Sequence, residues 1–381
     1  MLEYQINVNS LQESNIFLRK LWSELNDIRP MGWNMYPYKD KNHITIGCSN
    51  FGEIAFDYTR KGCIKKLYID NSIDKDAITQ AVQNAQHNNL SEYTILLELI
   101  SDKRIDLLPR TYEKCRIYSK DGVLFLLAEF KAYSSWDAEI FFPSKLLSIC
   151  SILYAYTHNT FHIKSSKIAK NRLVATNTPP VSYNYQWIDS DECPTAEGQN
   201  IILPDECFKL IMYVMDDEVF IEDIELLLNS SNLLFTAQSM MEEVSFPYAS
   251  IKADIYNALA CSSLEPLSLI LDKNTEQCSL CGNKVFSISS KIKKMCSHYF
   301  DEGFAKHVSN VIYKNRSVFL HNGQPESTQR SNKVFCPQVN PTTGMIMYPG
   351  GRLRYELFDW STFLLRNIAH DYFSGSLEQS Q

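Results

Sequence analysis

At 381 residues, with 45% hydrophobic and 21% charged residues, the chain is too long for one small core and too apolar for a disordered or fibrous class, so a globular protein of two or three domains is expected. No run approaches the ~20 apolar residues of a membrane span, and the start, Met1-Leu2-Glu3-Tyr4-Gln5-Ile6-Asn7, carries neither a basic nor an apolar leader segment. A cytoplasmic protein with no membrane partner follows as the expectation, and a formal net charge of −7 argues against a general nucleic-acid binder.

The charge is uneven. Between Lys273 and Lys333 ten Lys or Arg stand against Glu276, Asp301, Glu302 and Glu326, so a locally basic surface sits on an acidic chain. A solvated helix face accounts for the charge equally well. The eleven cysteines are an odd number. Most are scattered singly among apolar neighbours, as at Cys48, Cys63, Cys115, Cys150 and Cys261, which suits reduced core thiols better than a disulfide framework.

Residues 1–140 read as a strand-rich N-terminal domain. His43–Cys48, Lys66–Ile69 and Tyr93–Leu99 are short runs rich in β-branched and aromatic residues, bounded by Asn, Asp and Gly. Arg116–Tyr118 and Val123–Phe130 flank Asp121-Gly122, a hairpin turn signal, and Asp76–Gln86 is one helix within the set. No catalytic constellation stands here; a sensing and a purely structural role are both open. Residues 141–231 read as a helical and loop connection, with helices at Ser144–Tyr156, Pro204–Met215 and Val219–Leu228 around a loop at 174–200. That loop carries Asp189-Ser190-Asp191-Glu192, carboxylates close enough for Mg²⁺ or Ca²⁺, but without a metal-loop signature a solvated turn is the better reading.

From Asn232 to the end the pattern is helical, predicting an antiparallel bundle: Asn232–Glu243, Ala249–Leu271, Phe286–Phe300, Asp301–Leu320 and Arg352–Phe373. In the fourth, Phe304, Val308, Val311, Ile312, Asn315 and Phe319 recur at helical spacing. The fold class expected is therefore α+β, a strand-rich N-terminal region followed by an all-α C-terminal bundle over 232–381.

The fourth helix closes with Arg316 and His321, then Asn322-Gly323, a helix-stop signal. In this chain an arginine and a histidine at such spacing arise by chance roughly 0.75 times, so context must carry any reading. An ion-pairing arginine and a histidine favoured by the helix C-terminal dipole would explain both residues without chemistry. At about 100° per residue the two side chains point some ~140° apart on a regular helix, so they converge only if the helix frays before His321 or if two chains meet.

Tyr313-x-x-Arg316-Ser317-x-x-x-His321-Asn322-Gly323 nonetheless resembles the signature of the HEPN family, in particular the Apea-like HEPN domains of prokaryotic defence proteins. Phe286–Ile292 is similar to the helix that precedes it in that group. The resemblance covers about 110 to 140 C-terminal residues. It implies a metal-independent endoribonuclease, a homodimer or higher even oligomer acting on tRNA or mRNA, and a latent toxin of anti-phage defence and abortive infection released by a phage-derived trigger. Arg316 would clamp the phosphate, His321 would be the acid/base, and Asn315 and Ser317 would orient them. The residue types fit: imidazole exchanges protons near neutral pH, and guanidinium holds developing phosphorane charge through two donors. The alternative of another class is a non-catalytic RNA-binding or scaffolding HEPN protein. No cofactor is expected for catalysis.

Cys278-Ser279-Leu280-Cys281-Gly282 has the Cys-x2-Cys spacing that commonly forms one half of a structural zinc site. Cys296 lies roughly 22 Å down a helix from it. A helix ending near Leu320 returns the chain toward that end, so Cys336 is the expected third ligand, and no fourth stands out. Reduced thiols in a turn remain the alternative.

Overall fold

In a computed structural model of the protein, the described residues are 2–28, 34–40, 43–49, 52–69, 75–87, 89–103, 105–169, 178–179, 182–188, 202–216, 219–242, 249–273, 276–277, 284–285, 288–323, 338–339, 346–347 and 352–377. The chain divides into two compact units: Met1–Thr94 with Glu129–Ser144 and Ile168–Arg172, and Ile95–Ala128 with Lys145–Lys167 and Leu173–Gln381. At the coarse level the expected α+β class holds, with sheets toward the N-terminus and helices toward the C-terminus. Among the described residues no single helix is long and apolar enough to cross a membrane.

The first unit is a sheet covered by helices. β1 (Leu2–Gln5), β2 (Asn34–Asp40), β3 (His43–Ser49), β4 (Gly52–Tyr58) and β5 (Ile64–Ile69) lie in the order β1-β5-β4-β3-β2, antiparallel throughout. Ile54, Ile64, Leu67 and Ile69 meet Phe17, Leu21 and Leu25 of α1 (Leu11–Ile28) and Ile78, Ala81, Val82 and Ala85 of α2 (Lys75–His87) in one core. Each large side chain so buried contributes about 1.5–3 kcal/mol. Helix α1, which the strand-rich reading of residues 1–140 did not name, forms because Phe17, Leu21 and Leu25 repeat every four residues and all face the core. The start is built as a capping box: Ser10 Oγ accepts from the Glu13 N–H at 3.0 Å, while the Glu13 carboxylate reaches back to the Asn9 N–H at 2.8 Å. Helix α3 (Ser135–Phe141) is capped by Ser134, and Arg19 grips its Asp137 through two bonds of 2.7 and 2.9 Å, with the guanidinium stacked 3.7 Å from the Phe141 ring centroid.

The second sheet comprises β6 (Ser91–Ser101), β7 (Arg110–Tyr112), β8 (Cys115–Lys120), β9 (Val123–Ala132) and β10 (Phe161–Ala169), in the order β10-β6-β9-β8-β7. Period-two burial is explicit: Ile95, Leu97 and Leu99 on β6 and Leu124, Leu126 and Ala128 on β9 are buried, their neighbours less so. Asp121 (φ 54°) and Gly122 (φ 75°) both take the left-handed conformation that a two-residue hairpin between β8 and β9 requires.

The helices that follow are α4 (Pro143–Thr157), α5 (Asp205–Met215), α6 (Glu222–Glu242), α7 (Ala249–Ser262), α8 (Leu264–Leu271), α9 (Ile288–Tyr299), α10 (Glu302–His307), α11 (Tyr313–Asn322) and α12 (Arg352–Ser374). Helix α12 packs against α5, α6, α7 and α8, and nearly every residue from Leu357 to Ala369 is buried. Two helices expected at 219–228 and 232–243 are the single α6: Ser230 and Ser231 lie buried inside it, and the boundary expected after residue 231 falls within it. The single helix expected over 249–271 is broken at Ser263, because Pro266 has no N–H to bond four residues back. Cys63, Cys115, Cys150, Cys207, Cys261 and Cys296 are free and buried.

One core residue makes this second unit pH-sensitive. His158 follows α4 with φ 49°, bonds the Thr362 hydroxyl through Nε2, stands 3.5 Å from Asp359 through Nδ1, and stacks on Tyr154. Burial, reinforced by the positive charge of Arg366 and Lys103, holds its imidazole well below the ordinary 6.5 despite the Asp359 carboxylate. A depressed folded pKa means that stability is complete above about pH 6.5 and is lost as pH falls toward the folded value, because the unfolded chain takes up the proton first. Urea midpoints measured from pH 8 to pH 5 should fall for the native chain. They should fall less for His158→Asn, which tolerates the left-handed backbone and does not titrate.

Candidate functional site

Arg316 sits where one irregularity of its helix places it. Asp301 starts the helix, its carboxylate accepting from the Phe304 N–H at 2.9 Å. Between α10 and α11 the residues Val308–Ile312 form a π turn. Such a turn inserts one extra residue and rotates everything after it by roughly 100°. The apolar stripe predicted with an unbroken helical period places Asn315 on the inner face; the inserted residue hands that place to Arg316. Helix α11 then continues without fraying through His321 and ends at Gly323 (φ 62°, ψ 27°), whose N–H bonds Phe319 O at 2.9 Å. The predicted stop is therefore present, one turn too late to swing His321 toward Arg316.

The Arg316 side chain is 15% exposed and lies against α7 and α8. Its Nη2 is 2.8 Å from Glu265 Oε1, its Nε donates to Ser262 Oγ at 3.0 Å, and its Cζ stands 5.4 Å from the Tyr313 ring centroid. The Tyr313 hydroxyl donates to the same Glu265 oxygen at 2.7 Å. Burial and that bond push the Tyr313 phenol up. Burial likewise pushes the neighbouring Cys261 thiol up to about 12, against the pull of Arg316. The result is a partly buried Arg–Glu–Tyr–Ser cluster in which Glu265 and Ser262 orient the guanidinium.

His321 is exposed on the last turn of α11, apart from this cluster, while Asn315 and Ser317 are half-buried. Helix α11 has no fully buried residue, and Leu320 is 50% exposed. Within one chain the structure thus places the two principal site residues on one helix without bringing their side chains together. Sequence reasoning missed Glu265 and Ser262. Neither carries a local signal, since their role arises only where α7 and α8 cross α11. Much of the local basic charge is neutralised inside the chain: Lys273 pairs with Asp223 at 2.7 Å, Lys294 with Asp272 at 3.3 Å and Lys306 with Glu302 at 2.8 Å, and Lys291 is buried.

Cys278, Cys281 and Cys336, and the Asp189–Glu192 cluster, lie outside the described residues. Glu276–Gln277 and Lys284–Val285, on either side of the Cys-x2-Cys segment in sequence, pair as a short antiparallel ladder. Cys296, set aside as a ligand on distance, is a core residue of α9. No family model, no curated protein and no solved structure matches the chain.

Proposed function

We propose that the C-terminal helical part is a metal-independent endoribonuclease of the HEPN type, working as a homodimer or higher even oligomer. The reading rests on the resemblance of Tyr313 to Gly323. The observation that supports it is that Arg316 is mostly buried and held by Glu265 and Ser262 while His321 stands exposed on the same helix. Divergent side chains on one helix are what a composite cleft needs, in which each chain offers an arginine and a histidine across a two-fold axis. In that cleft His321 takes the 2'-hydroxyl proton and returns one to the leaving 5'-oxygen, Arg316 binds the phosphorane, and Asn315 and Ser317 orient them. tRNA or mRNA is the substrate class. In the cell this is a cytoplasmic, latent toxin of anti-phage defence, and the strand-rich N-terminal region senses a phage-derived trigger; that step is analogy with the family. A zinc on Cys278, Cys281 and Cys336 would be structural only, and elemental analysis of the purified protein tests it separately.

The Arg316–Glu265 pair favours a second reading, in which Arg316 is a structural ion pair and the bundle a non-catalytic RNA-binding or dimerisation scaffold. Labelled tRNA and mRNA incubated with the full chain in EDTA separate the two. Cutting is expected, with a loss of at least ~100-fold in Arg316→Ala and in His321→Ala. Absence of cutting, or its survival in both variants, removes the nuclease assignment. Cutting that EDTA abolishes points instead to a metal-dependent hydrolase using the Asp189–Glu192 carboxylates.

A further inference from the structure

We infer that Asp102, His162 and Glu242 form a binding site for a divalent first-row metal ion, with open positions left for water. Asp102 follows the end of β6, His162 is the second residue of β10, and Glu242 is the last residue of α6. Far apart in sequence, they bring one ligand atom each to within 4.8 Å of one another. Two ligands each about 2.1 Å from a metal stand about 3.0–3.4 Å apart at octahedral to tetrahedral angles. His162 Nε2 and Asp102 Oδ1 are 3.3 Å apart, inside that range.

The frame behind these ligands is rigid and already orients them. β6 and β10 are neighbours in the sheet, and the Asp102 N–H bonds Thr160 O at 3.4 Å. Thr160, 3% exposed, gives its hydroxyl to Glu242 Oε1, and Gln238 Nε2 donates to the same oxygen at 2.9 Å, so the carboxylate is held in place. Partners of this kind normally hold ligating carboxylates. Charge points the same way. One step along the same two strands Lys164 and Glu98 make an ordinary ion pair at 3.7 Å. Asp102 pairs with His162, and a ligand atom of Glu242 lies within 4.8 Å of both, so the group sets two carboxylates against one imidazole and attracts a cation. One imidazole and two carboxylates suit Mn²⁺ or Zn²⁺.

The test uses the full chain, stripped with EDTA and dialysed, titrated with MnCl₂ while free Mn²⁺ is read by electron paramagnetic resonance. Manganese is chosen because cysteine thiolates bind it poorly, so the Cys-x2-Cys segment does not compete. One saturable equivalent is expected, bound about tenfold or more weakly by His162→Ala and by Glu242→Gln, with an intermediate loss in Thr160→Val. Mn²⁺ should also raise the melting temperature of the native chain and not that of His162→Ala. The side chains replaced in the first two variants are exposed, so both fold. Failure of the native chain to bind saturably, or equal binding by both variants, overturns the site. The readout does not involve RNA, so it stands or falls independently of the reading of Arg316 and His321.

Discussion

Arg366→Ala is expected to destabilise the second unit by about 3–5 kcal/mol, read as a fall in the urea midpoint with the slope unchanged. Arg366 has no exposed surface. Its Nη1 donates to Ala155 O at 2.9 Å and its Nη2 to Trp187 O at 2.7 Å, and the guanidinium lies 3.3 Å from the Trp187 ring centroid. Alanine removes both donors from carbonyls that water does not reach, which costs about 1–3 kcal/mol for each carbonyl left unsatisfied, and adds the cavity of a long side chain. Arg366→Lys should recover only part of the loss, because one ammonium does not serve two carbonyls and lie flat on an indole together. Arg366→Met, which refills the volume without donors, separates cavity from hydrogen bonding. It should also raise the His158 pKa toward its ordinary value by removing a neighbouring positive charge, and so reduce the loss of stability as pH falls below about 6.5. A cost under about 1 kcal/mol for Arg366→Ala would show that solvent reaches those carbonyls and that the buried-arginine account is wrong.

How much of this was legible depended on whether the determinant was local. Alternation in Tyr93–Leu99 and Val123–Phe130, and the Asp121-Gly122 turn, are local, and β6, β9 and the hairpin partner of β9, β8, stand where they were expected. Helix α1 was equally local in its Ser10-x-x-Glu13 spacing and its Phe17–Leu21–Leu25 repeat, and the strand-rich reading of residues 1–140 passed over both. Pro266 marked a break that the apolar run from Ala249 to Leu271 hid. The site is different. A π turn keeps the apolar composition of its helix and changes only the phase, so a period-based reading of Phe304 to Phe319 had no means of finding it. Glu265 with Arg316, and Asp102 with His162 and Glu242, are pairings across elements, and one sequence alone does not contain them.

Glu265→Gln is the substitution that distinguishes a clamp held in reserve from a structural ion pair. Glu265 Oε1 takes both the Arg316 guanidinium at 2.8 Å and the Tyr313 hydroxyl at 2.7 Å, and the two ionic partners are 15% and 29% exposed. An amide of the same shape keeps an acceptor for Tyr313 and removes the charge that neutralises Arg316. Stability should fall by about 1 kcal/mol, since the pair is only partly shielded from water. If Arg316 is the phosphate clamp, the freed guanidinium should tighten RNA binding about tenfold. The plot of log affinity against log salt should then steepen by about 0.7, the increment for one added contact to single-stranded phosphate. Arg316→Ala in the Glu265→Gln background should remove both gains, and a double-mutant cycle on stability should return the coupling of the pair. If affinity and salt slope stay unchanged while stability falls, Arg316 serves the fold alone, and the bundle is a scaffold. If both rise, the Glu265 carboxylate is what keeps the site latent, and a trigger that draws α8 away from α11 would activate it.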